Sequence, residues 1–207
     1  MLYHLFASVQ SLEILKYISS RSCLAAFTAF FISIFFGHWF IKRLRALKVG
    51  EDTTKTDSDE LRRMHSDKKN TPTMGGIILI VSILISTLLW CNIYNEYILL
   101  LMFTLIWFGV LGFIDDYIKL TQTKAAGLTD VSKLLFQSAL GLILGLILYF
   151  HMKKFAWGTH VVIPLVKGFR PDLGPLYILF VTFFIVGMSN AVNLTDGLDG
   201  LAIGCGI

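Results

Sequence analysis

Long uncharged or nearly uncharged runs dominate the chain, at 22–41, 70–95, 97–114, 134–152 and 173–195, separated by segments that carry the charged residues. Allowing for polar edges, each run holds or nearly holds the ~20-residue helix needed to cross a ~30 Å hydrocarbon core. The pattern predicts five membrane spans, near 22–41, 74–91, 97–118, 131–150 and 173–192. A sixth apolar run begins at Gly200 and reaches Ile207. At about 12 Å of helical rise it cannot cross the core, so the sequence is expected to be the front part of a longer protein. Ahead of the first span, Leu2, Leu5, Phe6, Val9, Leu12, Leu15 and Ile18 have an amphipathic spacing. They predict a helix lying at the membrane interface over 1–20. Between the fourth and fifth spans, Val161 to Val166 predicts a short β element, weakened by Pro164, which has no N–H for a ladder. The fold class expected is an all-α polytopic membrane protein, with residues 1–207 as a single transmembrane domain.

Composition narrows the class further. The 207 residues are 55% hydrophobic and 15% charged, with mean hydropathy +0.70. Such a balance argues against a soluble domain. The net charge of +4 says less than its distribution. If the first span runs inward, the loop from Lys42 to Thr73 carries nine basic residues, and Lys119, Lys124 and Lys133 fall on the same side. The opposite side has six, which places the N-terminus outside by the positive-inside rule. That rule already accounts for the basic loop, so nucleic acid is not expected as a partner; the lipid bilayer is. Cys23, Cys91 and Cys205 have no metal-type spacing. No basic segment and cleavage site mark a removable signal peptide.

The chemistry-bearing residues sit at span ends. The stretch Asn190-Ala191-Val192-Asn193-Leu194-Thr195-Asp196-Gly197-Leu198-Asp199-Gly200 places two amides, a hydroxyl and two carboxylates directly after apolar sequence. Groups of this kind are costly to desolvate and tend to face a polar cavity, an ion or a partner charge. Asn193, Asp196 and Asp199 recur every three residues, which on a helical turn keeps their oxygens on one side. A plain polar turn is the simpler reading, but it does not call for both asparagines. Asp115-Asp116 closes the third span, where carboxylates oppose the helix macrodipole by ~0.3 to 1 kcal/mol. Lys119, four and three residues on, can offset part of that penalty. Before the second span, Lys68-Lys69-Asn70-Thr71-Pro72-Thr73-Met74-Gly75-Gly76 joins two lysines to a helix start. That is either an anion site or ordinary positive flanking. His38 reads as an interfacial structural residue.

With the N-terminus outside, Asp115, Asp116, Asp196 and Asp199 share one membrane face with Lys68, Lys69, Lys119 and Lys133. Carboxylates and ammonium groups together suit a divalent ion with phosphates. Magnesium takes one or two carboxylates and completes its shell with water and phosphate oxygens. Lysines neutralise phosphate charge. This predicts phosphoryl transfer between a soluble nucleotide substrate and a membrane-embedded acceptor, with an Asp as base or nucleophile.

Three ordered motifs, Thr71-Pro72-Thr73-Met74-Gly75-Gly76, Gly112-Phe113-Ile114-Asp115-Asp116-Tyr117 and Asn190 to Ala202, resemble those of the phospho-N-acetylmuramoyl-pentapeptide-transferase (MraY) family. That family lies among the polyprenyl-phosphate sugar-1-phosphate transferases. The resemblance runs over essentially the whole chain. It implies transfer of phospho-MurNAc-pentapeptide from UDP-MurNAc-pentapeptide to undecaprenyl phosphate, with Mg2+, giving lipid I and UMP for peptidoglycan. It implies a multi-pass protein of the bacterial plasma membrane with its active face cytoplasmic, and leaves a homodimer open. By motif position it implies catalytic roles for Asp115, Asp116 and Asp196, with Asp115 activating the lipid phosphate. Asp116 and Asp196 are the metal ligands it suggests. Lys68, Lys133, Asn190, Asn193, Gly197, Leu198 and Asp199 would bind substrate, the last three forming the uridine pocket. Family members resemble ten-span proteins whose second half adds a further aspartate and a triple-histidine motif, so this chain alone is expected to be an incomplete enzyme.

Three other readings compete. A related transferase using UDP-N-acetylglucosamine shares the aspartate motifs, but Thr71 to Gly76 favours the muramoyl-pentapeptide enzyme. An ion-coupled transporter would place its polar residues near mid-membrane at broken helices rather than at span ends. A non-catalytic membrane fragment is the third.

Overall fold

Runs rich in Leu, Ile and Phe have few ways to satisfy their backbone in lipid, and the helix is the one open to a single segment. The computed structural model describes residues 17–46, 74–121, 127–155, 158–163 and 168–195, with Leu15, Val166 and Gly204. Five long helices account for most of them: α1 Ile18–Ala46, α2 Gly76–Trp90, α3 Glu96–Thr121, α4 Asp130–Met152 and α5 Leu176–Thr195. Four are long and apolar enough to cross a membrane, α2 being the exception. Its 15 residues rise only about 22 Å, because the chain leaves the helix at Cys91 in extended conformation. The expected second span is therefore a shorter helix than its neighbours. Large apolar side chains such as Phe35, Phe183 and Leu194 are exposed throughout, as lipid-facing residues are in an all-helical polytopic membrane protein. The predicted interfacial helix over 1–20 lies almost wholly outside the described residues, as does the predicted start of a sixth span.

The chain forms two compact units, Met1–Leu128 and Thr129–Ile207. In the first, α2 packs chiefly on α1 and less on α3. The α1–α2 seam carries a polar link, the Trp90 indole Nε1–H donating to Thr28 Oγ1 at 2.9 Å. The Thr28 hydroxyl in turn donates to the Leu24 carbonyl. Ser82 and Ser86 of α2 are buried, small side chains that allow close approach where a membrane supplies no hydrophobic drive. The turn into α3 is set by Asn95, whose Oδ1 accepts from the Tyr97 N–H at 2.9 Å and supplies the start of the helix with an acceptor.

The second unit is an antiparallel pair, α4 against α5. Gly141 and Gly145, one turn apart on α4, sit directly on the α5 backbone. A Cβ on Gly141 would lie 2.8 Å from the Thr182 Cα, and one on Gly145 2.9 Å from the Ile178 carbonyl oxygen. Leu140 and Leu144, each beside one of these glycines, are buried. The start of α4 is capped by Thr129, whose Oγ1 accepts from the Ser132 N–H. The segment joining the helices is closed by Asp172. One carboxylate oxygen accepts from the Thr159 hydroxyl and from the Gly174 N–H at 3.0 Å. These bonds hold the Asp172 carboxyl below its ordinary pKa, the Thr159 bond most, then Gly174, with nearby His160 adding to them against a small desolvation. Instead of a strand over Val161–Val166, the described residues here form one antiparallel bridge, His160 with Asp172. Beside the bridge the Val161 N–H donates to the Pro171 carbonyl and the Leu173 N–H to that of Thr159, and among the described residues the ladder goes no further.

Candidate functional site

Asp115 and Asp116 occupy the last turns of α3, as the sequence places them, and Lys119 meets both. Its ammonium lies 2.8 Å from Asp115 Oδ2 and 3.9 Å from Asp116 Oδ1. The other Asp115 oxygen accepts from the Leu128 N–H at 2.8 Å. Asp115 therefore has both oxygens engaged and its side chain is 13% exposed, against 34% for Asp116. The Leu128 bond ties the segment ahead of α4 to the end of α3. Gly127 makes this approach feasible: its φ is +62°, and a Cβ there would stand 2.6 Å from Asp115 Oδ1. Both carboxylates offer hard oxygen, and Asp116 is the more accessible to a divalent cation.

The second cluster lies between α4 and α5. Gln137 is buried, 5% exposed, within the largely apolar α4. Its Nε2 donates to Ser189 Oγ at 3.1 Å, and its Oε1 accepts from Asn190 Nδ2 at 2.9 Å. Asn190 Nδ2 also donates to the Val186 carbonyl at 2.9 Å. That carbonyl can only accept, which fixes which end of the Asn190 amide faces it and, through Asn190, the orientation of Gln137. Both amide hydrogens of Asn190 are thus committed, leaving its Oδ1 as the group available to a ligand. Lys133, one turn before Gln137 on α4, is partly exposed, and Asn193 is exposed near the end of α5.

The structure thus gathers Asp115 and Asp116 in one unit, and Lys133, Asn190 and Asn193 in the other. Lys68, Asp196, Gly197, Leu198 and Asp199 lie outside the described residues. No group of three potential metal ligands forms among the described residues. Gln137 is the residue that sequence reasoning passed over. Its signal was there, since a buried amide in an apolar run requires hydrogen-bond partners.

The glycosyl transferase family 4 model matches residues 97–207, more than half of the chain. Residues 68–80 match phospho-N-acetylmuramoyl-pentapeptide-transferase signature 1, a stretch that includes Lys68 and Thr71 to Gly76. Curated proteins named phospho-N-acetylmuramoyl-pentapeptide-transferase align along nearly the whole chain. That of Desulforapulum autotrophicum is 42% identical over 203 residues, 98% of this chain and 55% of its own length. That of Syntrophus aciditrophicus is 40% identical over 208 residues, 99% and 56% respectively. A Geobacter protein is 41% identical with the same coverage. The chain spans about half the length of these relatives. The chain therefore belongs to glycosyl transferase family 4, and in sequence it is similar to phospho-N-acetylmuramoyl-pentapeptide-transferases over about half of their length.

Proposed function

We propose that this chain supplies part of an enzyme that transfers phospho-MurNAc-pentapeptide from UDP-MurNAc-pentapeptide to undecaprenyl phosphate at the cytoplasmic face of a bacterial plasma membrane. The observation that carries this reading is the coincidence of the signature at 68–80 with about 41% identity along the whole chain to proteins of that name. The carboxylate pair at the end of a membrane helix and the amides between α4 and α5 support it.

In the reaction, an oxygen of the lipid phosphate forms a bond to the β-phosphorus of the nucleotide. The bond from that phosphorus to the bridging oxygen breaks, and its electron pair leaves with UMP. Asp116, the more accessible carboxylate of the pair, would hold Mg2+ together with Asp196. The ion would neutralise charge on the diphosphate. Asp115 would serve the lipid phosphate only by exchanging its Lys119 or Leu128 contact. Lys119 is placed to keep the pair of carboxylates from repelling incoming phosphate. Lys133 and Lys68 would attract the nucleotide.

The test is UMP release from UDP-MurNAc-pentapeptide in membranes containing undecaprenyl phosphate and Mg2+. It would be run with this chain and with the same sequence in a protein of the relatives' length. Turnover lost in Asp116→Asn, with membrane insertion and folding kept, is the expected result. Equal loss of folded protein would assign Asp116 a structural role instead. Turnover with UDP-N-acetylglucosamine and none with the muramoyl substrate would move the assignment to the related transferase.

A further inference from the structure

Gln137 is a buried polar side chain within a membrane-spanning helix of the second unit. A buried amide is favourable only when its donor and acceptor are both met, and here they are met by the consecutive residues Ser189 and Asn190. The α4–α5 pair already has a close-packed seam at Gly141 and Gly145, so association does not call for an amide as well. What the amide adds is orientation. It sets the Asn190 side chain in one rotational state, with both hydrogens turned away from any ligand.

We propose that Gln137 is a positioning residue of the transfer site: by locking Asn190, it presents Asn190 Oδ1 as a fixed acceptor to a hydrogen-bond donor or cation of the bound nucleotide complex. The inference rests on the function proposed above and refines it. A bare phosphate oxygen offers only lone pairs, and Asn190 has no hydrogen left to give it. The ligand group that Asn190 meets is therefore a hydroxyl, an N–H or the metal with its water shell. Lys133, one turn from Gln137 and bearing only donors, is the neighbour suited to phosphate.

Gln137→Met keeps length and apolar packing but releases Asn190. Gln137→Glu preserves the lock in its protonated form, whose carboxyl donates to Ser189 and accepts from Asn190. In the turnover assay, Gln137→Met should lower kcat by about tenfold or more, with KM within about threefold, since a misplaced group costs rate. Gln137→Glu should recover to within about threefold of the parent, with a rate that falls as pH rises and the acid ionises. Combining Gln137→Met with Asn190→Ala should be no worse than Asn190→Ala alone. Parent-like turnover in Gln137→Met, no recovery in Gln137→Glu, or losses that multiply in the double variant would each overturn the proposal.

A second readout separates this proposal from the functional reading. In protein labelled with 15N-asparagine and no substrate, exchange of the Asn190 side-chain N–H should quicken in Gln137→Met. Unchanged exchange overturns the lock whatever the turnover. A parent protein without UMP release, together with quickened exchange, overturns the transfer role along with the functional reading and leaves the lock as a packing device.

Discussion

Alanine at Gly141 and alanine at Gly187 have the same intrinsic effect on a helix and opposite surroundings. Each gains about 0.8 to 1 kcal/mol of helix propensity over glycine. The Cβ at Gly187 meets nothing within 4 Å, whereas at Gly141 it would sit 2.8 Å from the Thr182 Cα and 3.0 Å from its Cγ2. Ordinary contact begins near 3.4 Å, and a backbone atom cannot rotate aside, so α4 and α5 must separate by about 0.6 Å or more. A gap of that size forfeits a quarter to a half of the dispersion well along the seam, and overpacking of this kind costs about 1 to 3 kcal/mol. The propensity gain is common to both variants and cancels in their difference. Gly141→Ala should therefore be less stable than Gly187→Ala by about 1 to 3 kcal/mol. Thermal unfolding in one detergent, followed by circular dichroism, measures the ordering directly. Equal stability, or a more stable Gly141→Ala, would refute close backbone contact between α4 and α5.

Other consequences follow from single contacts. Thr129→Ala removes the cap of α4 and should cost about 1 kcal/mol, read as faster hydrogen exchange at the Ser132 amide, with Thr129→Ser restoring protection. Gly127→Ala forces a side chain into a backbone of φ +62° and against Asp115 Oδ1, so the Leu128 amide should lose protection while the centre of α3 keeps its own. Asp172 has a folded pKa below its unfolded value near 3.8, so its contribution is complete above that value and is lost as pH falls through the lower folded value. Protection of the Gly174 amide should be constant from about pH 7 to 5 and decline below about pH 4, and Asp172→Asn should flatten the profile. A decline already complete near neutral pH would contradict the assignment.

The fold was legible in the sequence wherever one apolar run made one helix. The runs at 97–114, 134–152 and 173–195 became α3, α4 and α5 with ends shifted by a few residues. The expected second span near 74–91 became α2, Gly76–Trp90, ending as Cys91 turns extended. The sequence also suggested a strand from the β-branched residues near Val161, where the chain forms one bridge fixed by Asp172. β-branched composition says that a segment tolerates extension, and only a paired neighbour makes a strand of it. At the site, Asp115, Asp116 and Lys119 could be related by helix spacing alone. The Leu128 bond to Asp115 could not, because it joins residues 13 apart that helix periodicity does not relate. Gln137 escaped for a different reason: charge counting passes over a neutral amide, whereas burial makes hydrogen-bond partners obligatory for it.

Lys133, Gln137, Gly141 and Gly145 lie four residues apart and form one ridge of α4. Gly145 meets Ile178, Gly141 meets Thr182, and Gln137 meets Ser189 and Asn190, so the ridge runs antiparallel along α5 from packing toward polar chemistry. The hydrogen bonds at Gln137 measure 2.9 and 3.1 Å, and separating the helices by the amount Gly141→Ala requires would stretch them to the limit at which such bonds fail. A methyl group placed one turn away, touching no ligand, would thus loosen Asn190 as Gln137→Met does. Packing density and site geometry are therefore one property of this seam. The two glycines bring the helices close enough for Gln137 to reach across, and Gln137 converts that closeness into a fixed direction for Asn190 Oδ1.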